Sequence, residues 1–205
     1  MELILASESP RREMLLRQIG LNFQVEASGA DENVPEGSSA RDLAERLALD
    51  KACLVASHRD SGLVIGADTV VVLDGRSLGK PADGAEAAEM LRALSGREHQ
   101  VITGIAVVNA SNGQTRSDAV VTGVKFAPLS EDVIGRYVAT GEPMDKAGGY
   151  GIQGFGALLI ERIDGCYFNV VGLPLRRLAE LLAEFGYDAL SPHSPIRVDG
   201  PAGRG

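Results

Sequence analysis

Residues 63–75 read LVIGADTVVVLDG. An apolar run of this kind, bounded by turn residues, marks a strand buried on both faces. Asp74-Gly75 then signals a two-residue hairpin, because such turns need left-handed backbone at their central positions. Outward from this stretch, strand-like and helical segments alternate. LILA precedes a helix running from Ser9 to Gly20, and FQVEA precedes a helix from about Ser39 to His58 opened by the capping pattern SARD. A helix from about Asp83 to Leu94 follows, and QVITGIAVVNA and TRSDAVVTGVKFA form a second hairpin around Asn112-Gly113. SEDVIGRYVAT is a helix with an acidic first turn. Glycine-rich DKAGGYGIQGFG leads to ALLIERI, the turn Asp164-Gly165, YFNVV and a last helix from near Pro174 to Gly186. Hairpins within this alternation predict an α/β fold with a mixed twisted sheet flanked by helices, not a purely parallel doubly wound one.

The 205-residue chain is expected to form one domain over residues 1–188, with the Pro- and Gly-rich stretch 189–205 read as a disordered tail. A net charge of -8 and a pI near 4.9 argue against a general nucleic-acid or membrane-surface binder. Any polyanion site must be a local basic pocket. No apolar run approaches the roughly 18 residues of a membrane span, and Met1 leads straight into a strand, so a cytoplasmic protein is expected. Cys53 and Cys166 lack metal-ligand or CxxC spacing and read as small packing residues, and His58, His99 and His193 show no ligand spacing either.

Several charged residues break local rules. Asp68 lies inside the apolar run, where an unpaired carboxylate costs several kcal/mol. Either it bonds backbone amides at a bulge beside Gly66, or it does chemistry as a general base or a cation ligand, with Thr69 its direct neighbour. On the helix over 39–58, positions 40, 43, 44, 47, 54 and 55 form the apolar arc, and Lys51 falls inside it. That lysine either snorkels out or reaches an anion in a cleft. In SESPRR, residues 7–12, Ser9 and Pro10 start a helix, yet Arg11 and Arg12 occupy its first turn. Cations there cost a few tenths to about 1 kcal/mol each. Solvated surface arginines account for the pair, and so does an anion bound at the helix start. Lys80 in LGKPAD and Lys146 in EPMDKAGG are further cations, and Asp31 and Glu32 in GADE, with Glu142 and Asp145 in GEPMD, are acidic candidates. Such groups at element ends are what a magnesium-nucleotide or other metal-phosphate substrate needs. GYGIQG, residues 149–154, matches GxGxxG but follows a loop and leads into a strand, so it fails as a dinucleotide-binding turn. It reads as a loop whose backbone approaches something closely, with Gln153 able to read a base edge.

LASESPRR, the ADE loop, RLALDKA, GADTVV, LGKP, LSG, VITGIAV, EPMDKAGGYGIQGFG and VVGLPL follow one another over residues 3 to about 185. Together they resemble the Maf family of nucleoside triphosphate pyrophosphatases, historically linked to septum formation. The resemblance implies the α/β fold shared with inosine triphosphatases (the Maf/Ham1 type) and a homodimer. It also implies a divalent metal, Mg2+ or Mn2+, and hydrolysis of a nucleoside triphosphate to the monophosphate and pyrophosphate, a house-cleaning of the nucleotide pool. Carried over, Asp68 is the proton acceptor beside the catalytic cations Lys51 and Lys80. Ser7, Arg11, Arg12, Thr69, Lys146 and Gln153 form the substrate pocket, and Asp31, Glu32 and Asp68 the metal ligands. Arg12, Thr69 and Gln153 are the set of the dTTP/UTP branch. The rival readings are a 7-methyl-GTP pyrophosphatase, a non-catalytic nucleotide-binding regulator of septum formation, and a Rossmann-type oxidoreductase, which the misplaced GxGxxG and the hairpins oppose.

Overall fold

The computed structural model describes residues 1–29 and 39–191. Strand β1 (Leu3–Leu5) carries β2 (Phe23–Val25) parallel on its outer side and runs parallel to β3 (Leu63–Leu73), with Leu5 opposite Ile65. On the far side of β3, the long strands β5 (Glu98–Asn109) and β6 (Thr115–Phe126) and the short β7 (Ile160–Asp164) pair antiparallel in succession. Six strands run in the order β2-β1-β3-β5-β6-β7, and the short strand β4 (Arg76–Leu78), which folds back on β3 outside that row, is the seventh among the described residues. Asp74 and Gly75 turn the chain between β3 and β4 with φ of 50° and 77°, the left-handed pair that this hairpin demands. The sheet is mixed, as its hairpins require.

Among the described residues six α-helices flank it: α1 (Pro10–Gln18), α2 (Ala40–Ala56), α3 (Gly84–Leu94), α4 (Glu131–Ala139), α5 (Tyr167–Val171) and α6 (Leu175–Glu184). Ser39, Asp83 and Ser130 cap α2, α3 and α4 by accepting from backbone N–H groups of the first turn. Ser9 occupies the cap position of α1, but its side chain makes no capping bond. YFNVV, despite its aromatic and β-branched content, is the helix α5, with Asn169 fully buried. Leu54 and Cys53 on α2 are exposed rather than packed, and the buried stripe runs instead through Leu43, Leu47, Lys51 and Val55.

Alternation along the strands sorts side chains between two faces. Leu3, Leu5, Leu63, Ile65 and Ala67 pack with Leu15 and Leu16 of α1 and Leu178 and Leu181 of α6. Ile4, Val64 and Ala106 meet Ala48, Ala52 and Val55 of α2 on the opposite face. This second contact is unusually close. A Cβ built on Gly66 would lie 2.1 Å from the Ala48 carbonyl oxygen, and one on Gly104 would lie 2.0 Å from that of Ala44. β1 ends at Leu5 opposite Ile65, and β4 pairs only from Val71, so the stretch 66–70 of β3 has no strand beside it on that side among the described residues. The described residues thus leave a slot in the sheet.

The segment carrying Asp31 and Glu32 and the tail from residue 192 lie outside the described residues. Among the described residues, no helix is long and apolar enough to cross a membrane.

Substituting Gly66→Ala or Gly104→Ala forces α2 off the sheet and is expected to lower stability by about 1–3 kcal/mol or more in urea unfolding. Gly135→Ala, where a Cβ on α4 meets open space, is the contrasting case and is expected to leave stability unchanged or raise it by up to about 1 kcal/mol.

Candidate active site

The slot beside residues 66–70 opens into a cleft of about 820 Å³, within the size range of small-molecule sites. Its walls are the turn from β1 into α1, the buried stripe of α2, the segment after β4, the glycine-rich stretch around residues 145–153 and the turn after α5. Ser7, Arg11, Arg12, Lys51, Asp68, Thr69, Lys80, Lys146 and Gln153 all line this one cleft. Asp31 and Glu32 are the two expected site residues that lie outside the described residues.

Asp68 points to the α2 face of β3, and Lys51 is the group that compensates it. The Lys51 Nζ lies 2.6 Å from Asp68 Oδ1, with both side chains about nine-tenths buried, at 11% and 12% exposure. The register with β5 runs unbroken through Asp68, opposite Gly104, so no bulge amide is involved. The two residues that looked misplaced in the sequence are each other's partner. Burying such a pair costs several kcal/mol per ion, which the mutual attraction only roughly offsets.

Thr69, one residue on, points to the other face and meets Arg12. The Arg12 guanidinium donates to Thr69 Oγ1 (3.2 Å), Ser7 Oγ (3.0 Å) and the Gly172 carbonyl (2.9 Å). Gly172 has φ 118°, and its Cβ would lie 3.3 Å from Thr69 Oγ1, so a side chain there would crowd this junction.

Arg11 takes a different partner. Its Nη1 lies 2.7 Å from Asp145 Oδ2, and Lys146 Nζ donates to Asp145 Oδ1 and to the Glu142 carbonyl, both at 2.6 Å. Burial alone would raise the Asp145 carboxyl, but hydrogen bonds and charge from Lys146 and Arg11 outweigh it and pull the group down to about 2. The helix-start arginine therefore already meets a carboxylate of its own chain. Lys80 stands exposed on the rim, and the Gly148 N–H donates to the Gly79 carbonyl (2.9 Å), tying its segment to the glycine-rich stretch. Glu142 is an anchor rather than a cleft group. It accepts from Tyr137 OH (2.9 Å), Phe155 N (2.9 Å) and Gly156 N (3.0 Å), fixing the turn that follows Gln153.

One cleft wall was not anticipated. Tyr150 is buried with its hydroxyl 2.6 Å from His99 Nε2, and the Tyr150 and His99 rings each meet Phe126 edge-on. Burial, opposed only weakly by Glu98, lowers the His99 imidazole to about 4, so it is neutral at pH 7. The signal available was strand alternation, which places His99 on the inward face with Val101.

Among the described residues, no three His, Cys, Asp or Glu side chains converge as a metal site requires. Asp68 is paired with Lys51, and Asp145 with Arg11 and Lys146. These carboxylates alone do not fit a divalent cation.

A mixed sheet with a cleft at the carboxyl ends of its parallel strands, lined by cations, defines a small-anion-binding α/β protein. A Ham1 protein from Coxiella burnetii shares the fold, with a TM-score of 0.50 and 19% identity over 90% of this chain and 99% of that one. The chain belongs to the Maf family, whose model, described as Maf-like protein, matches residues 2–185. It is 53% identical to a dTTP/UTP pyrophosphatase of Desulforamulus reducens over 91% of this chain and 97% of that protein. It is 54% identical to one of Symbiobacterium thermophilum over 91% and 95%, and 51% identical to one of Clostridioides difficile over 90% and 95%.

Lys51→Met strands the Asp68 charge and is expected to cost about 3–5 kcal/mol, whereas the double variant Lys51→Met/Asp68→Leu should regain most of that loss. Additive losses in the double variant would show that the two groups do not depend on each other. His99 sets a separate pH window. The unfolded imidazole takes its proton near 6.5 and the folded one near 4, so unfolding takes up a proton between these values. Stability is therefore expected to fall as pH drops from 6.5 to 4, by at most about 1.4 kcal/mol per pH unit from this group, and His99→Gln should flatten that part of the thermal-melting profile.

Proposed function

We propose that the protein hydrolyses pyrimidine nucleoside triphosphates, dTTP and UTP foremost, to the nucleoside monophosphate and pyrophosphate. The observation that carries this reading is the convergence, in one cleft, of the buried Lys51–Asp68 pair with the cations Arg11, Arg12, Lys80 and Lys146 and the amide of Gln153. The relatives' shared name, dTTP/UTP pyrophosphatase, points the same way.

The roles follow from the chemistry of each group. A triphosphate brings several negative charges into an acidic protein, and the local cations offset the repulsion. The phosphates lie along Arg11, Lys80, Lys146 and Ser7 at the start of α1, where backbone N–H groups add their dipoles. Asp145 yields Arg11 to the incoming phosphate and so holds that cation in place beforehand. Asp68 accepts the proton of the attacking water as its oxygen bonds to the α-phosphorus. The bond from that phosphorus to the bridging oxygen breaks, and pyrophosphate leaves with its charge met by the lysines. Lys51 keeps the Asp68 carboxylate in position for this transfer. At the other end Gln153, Arg12 and Thr69 read the base, with Gln153 at O4 and Thr69 at N3. A divalent cation, Mg2+ or Mn2+, is part of the proposal, with Asp31, Glu32 and Asp68 as its protein ligands, and its contribution when bound is to neutralise phosphate charge. A homodimeric assembly in the cytoplasm belongs to the same proposal.

The test is pyrophosphate release from a panel of nucleoside triphosphates with Mg2+ and Mn2+ compared. Turnover of dTTP and UTP is expected, and Asp68→Asn should slow it by about 10²–10⁴-fold with the fold retained. Near-normal turnover by Asp68→Asn removes the proposed base. Activity on 7-methyl-GTP in place of dTTP and UTP overturns the base assignment, and tight nucleotide binding without turnover points to a regulator.

A further inference from the structure

Thr103 is completely buried on β5, directly opposite Thr69 in the β3–β5 register, and it does not line the cleft. We propose that Thr103 is a positioning residue that fixes the hydrogen-bond polarity of Thr69 and so makes the cleft choose uracil and thymine over cytosine. The inference rests on the reading above, in which Thr69 meets the base at N3.

Each hydroxyl has one proton to give, and its neighbours decide where it goes. Thr103 Oγ1 lies 2.9 Å from the Asn169 carbonyl oxygen and 2.9 Å from Thr69 Oγ1. A carbonyl only accepts, so the single hydroxyl proton of Thr103 goes to Asn169. Thr103 can then only accept from Thr69, and the Thr69 proton is spent on it. The reverse order would leave the Thr103 and Asn169 oxygens in contact with no proton between them, a buried acceptor pair with a cost of about 1–3 kcal/mol. Asn169 cannot swing away to relieve this. Its side-chain Nδ2 donates to the Val101 carbonyl and to Thr122 Oγ1, both at 3.0 Å, and its own carbonyl also accepts from Gly172 N (3.0 Å).

At the open end, Arg12 Nη2 donates to Thr69 Oγ1, and an arginine has no acceptor to offer in return. With its proton given inward and one lone pair taken by Arg12, Thr69 presents to the cleft a single lone pair. Its hydroxyl acts there as an acceptor only. The N3–H of uracil or thymine can donate to that lone pair, whereas N3 of cytosine carries a lone pair and meets it in repulsion. A threonine hydroxyl, normally indifferent between donor and acceptor, is made selective by a residue that substrate never touches.

Thr103→Val keeps the shape and removes the inward acceptor, which frees the Thr69 proton to donate. The UTP-to-CTP ratio of kcat/KM is expected to fall by about tenfold in this variant, while Thr103→Ser keeps it within about twofold. A folded Thr103→Val protein with the wild-type ratio overturns the proposal. A second measurement on the unmodified protein is independent of how the variant folds: CTP and 3-deaza-CTP are compared as inhibitors of UTP hydrolysis, since they differ only in N3 against C3–H. Tighter inhibition by 3-deaza-CTP is expected, and tighter inhibition by CTP overturns the relay. A wild-type protein that does not hydrolyse UTP takes down both this inference and the proposed function, whereas normal UTP hydrolysis with an unmoved ratio takes down the relay alone.

Discussion

Helix α2 lies so close to the sheet that Gly66 and Gly104 have no room for a side chain, and the cleft depends on that contact. The close approach carries the fourth turn of α2 down to β3, where Lys51 reaches Asp68 at 2.6 Å inside an otherwise apolar layer. A buried ion pair of this kind adds little net stability, since desolvating both charges roughly cancels their attraction. Stability comes from the leucine and alanine contacts on either side of it. The pair is thus a cost that packing sustains, which is the pattern expected where a fold holds a reactive group in readiness.

β3 divides the labour of the site between its two faces. Asp68 and Thr69 are adjacent in sequence and point in opposite directions, as any two neighbours on a strand do. One side joins α2, where the carboxylate and lysine stand. The other joins the start of α1 and the turn after α5, where Arg12, Thr69, Thr103 and Asn169 form a continuous hydrogen-bonded chain. Both faces reach the same cleft because, among the described residues, the sheet is interrupted between the end of β1 and the pairing of β4. The glycine-rich stretch closes it and is itself pinned by Glu142. Around this local concentration of cations the protein is strongly acidic, and Asp145 keeps Arg11 and Lys146 occupied within the cleft.

Much of this was legible in the residues themselves. The mixed sheet followed from Asp74-Gly75 and the other hairpin signal, because left-handed turn positions are a local requirement. Asp68 and Lys51 each stood out by violating the burial expected of its neighbours, but that they answer each other is a tertiary fact that neither pattern carries. Arg11 and Arg12 looked alike in sequence and differ in three dimensions, one paired with Asp145 and the other with Ser7, Thr69 and Gly172. Thr103 and Asn169 gave no sign. A threonine suits any strand and an asparagine any turn, so their role emerges only from the direction of hydrogen bonds between elements far apart in the chain. YFNVV carries aromatic and β-branched residues of strand character, yet it forms α5 with Asn169 fully buried, a case of tertiary context prevailing over local propensity.

In the proposed reaction the cleft seats a pyrimidine triphosphate with its α-phosphorus beside Asp68 and its base beside Thr69. The most direct measurement is a crystal structure with α,β-methylene-UTP, in which carbon replaces the bridging oxygen between the α- and β-phosphates and prevents cleavage. The α-phosphate is expected next to the Lys51–Asp68 pair, the outer phosphates on Arg11 with Asp145 displaced, and the uracil N3–H donating to Thr69. A uracil ring seated on the lysine side, or phosphates bound away from the start of α1, would contradict it.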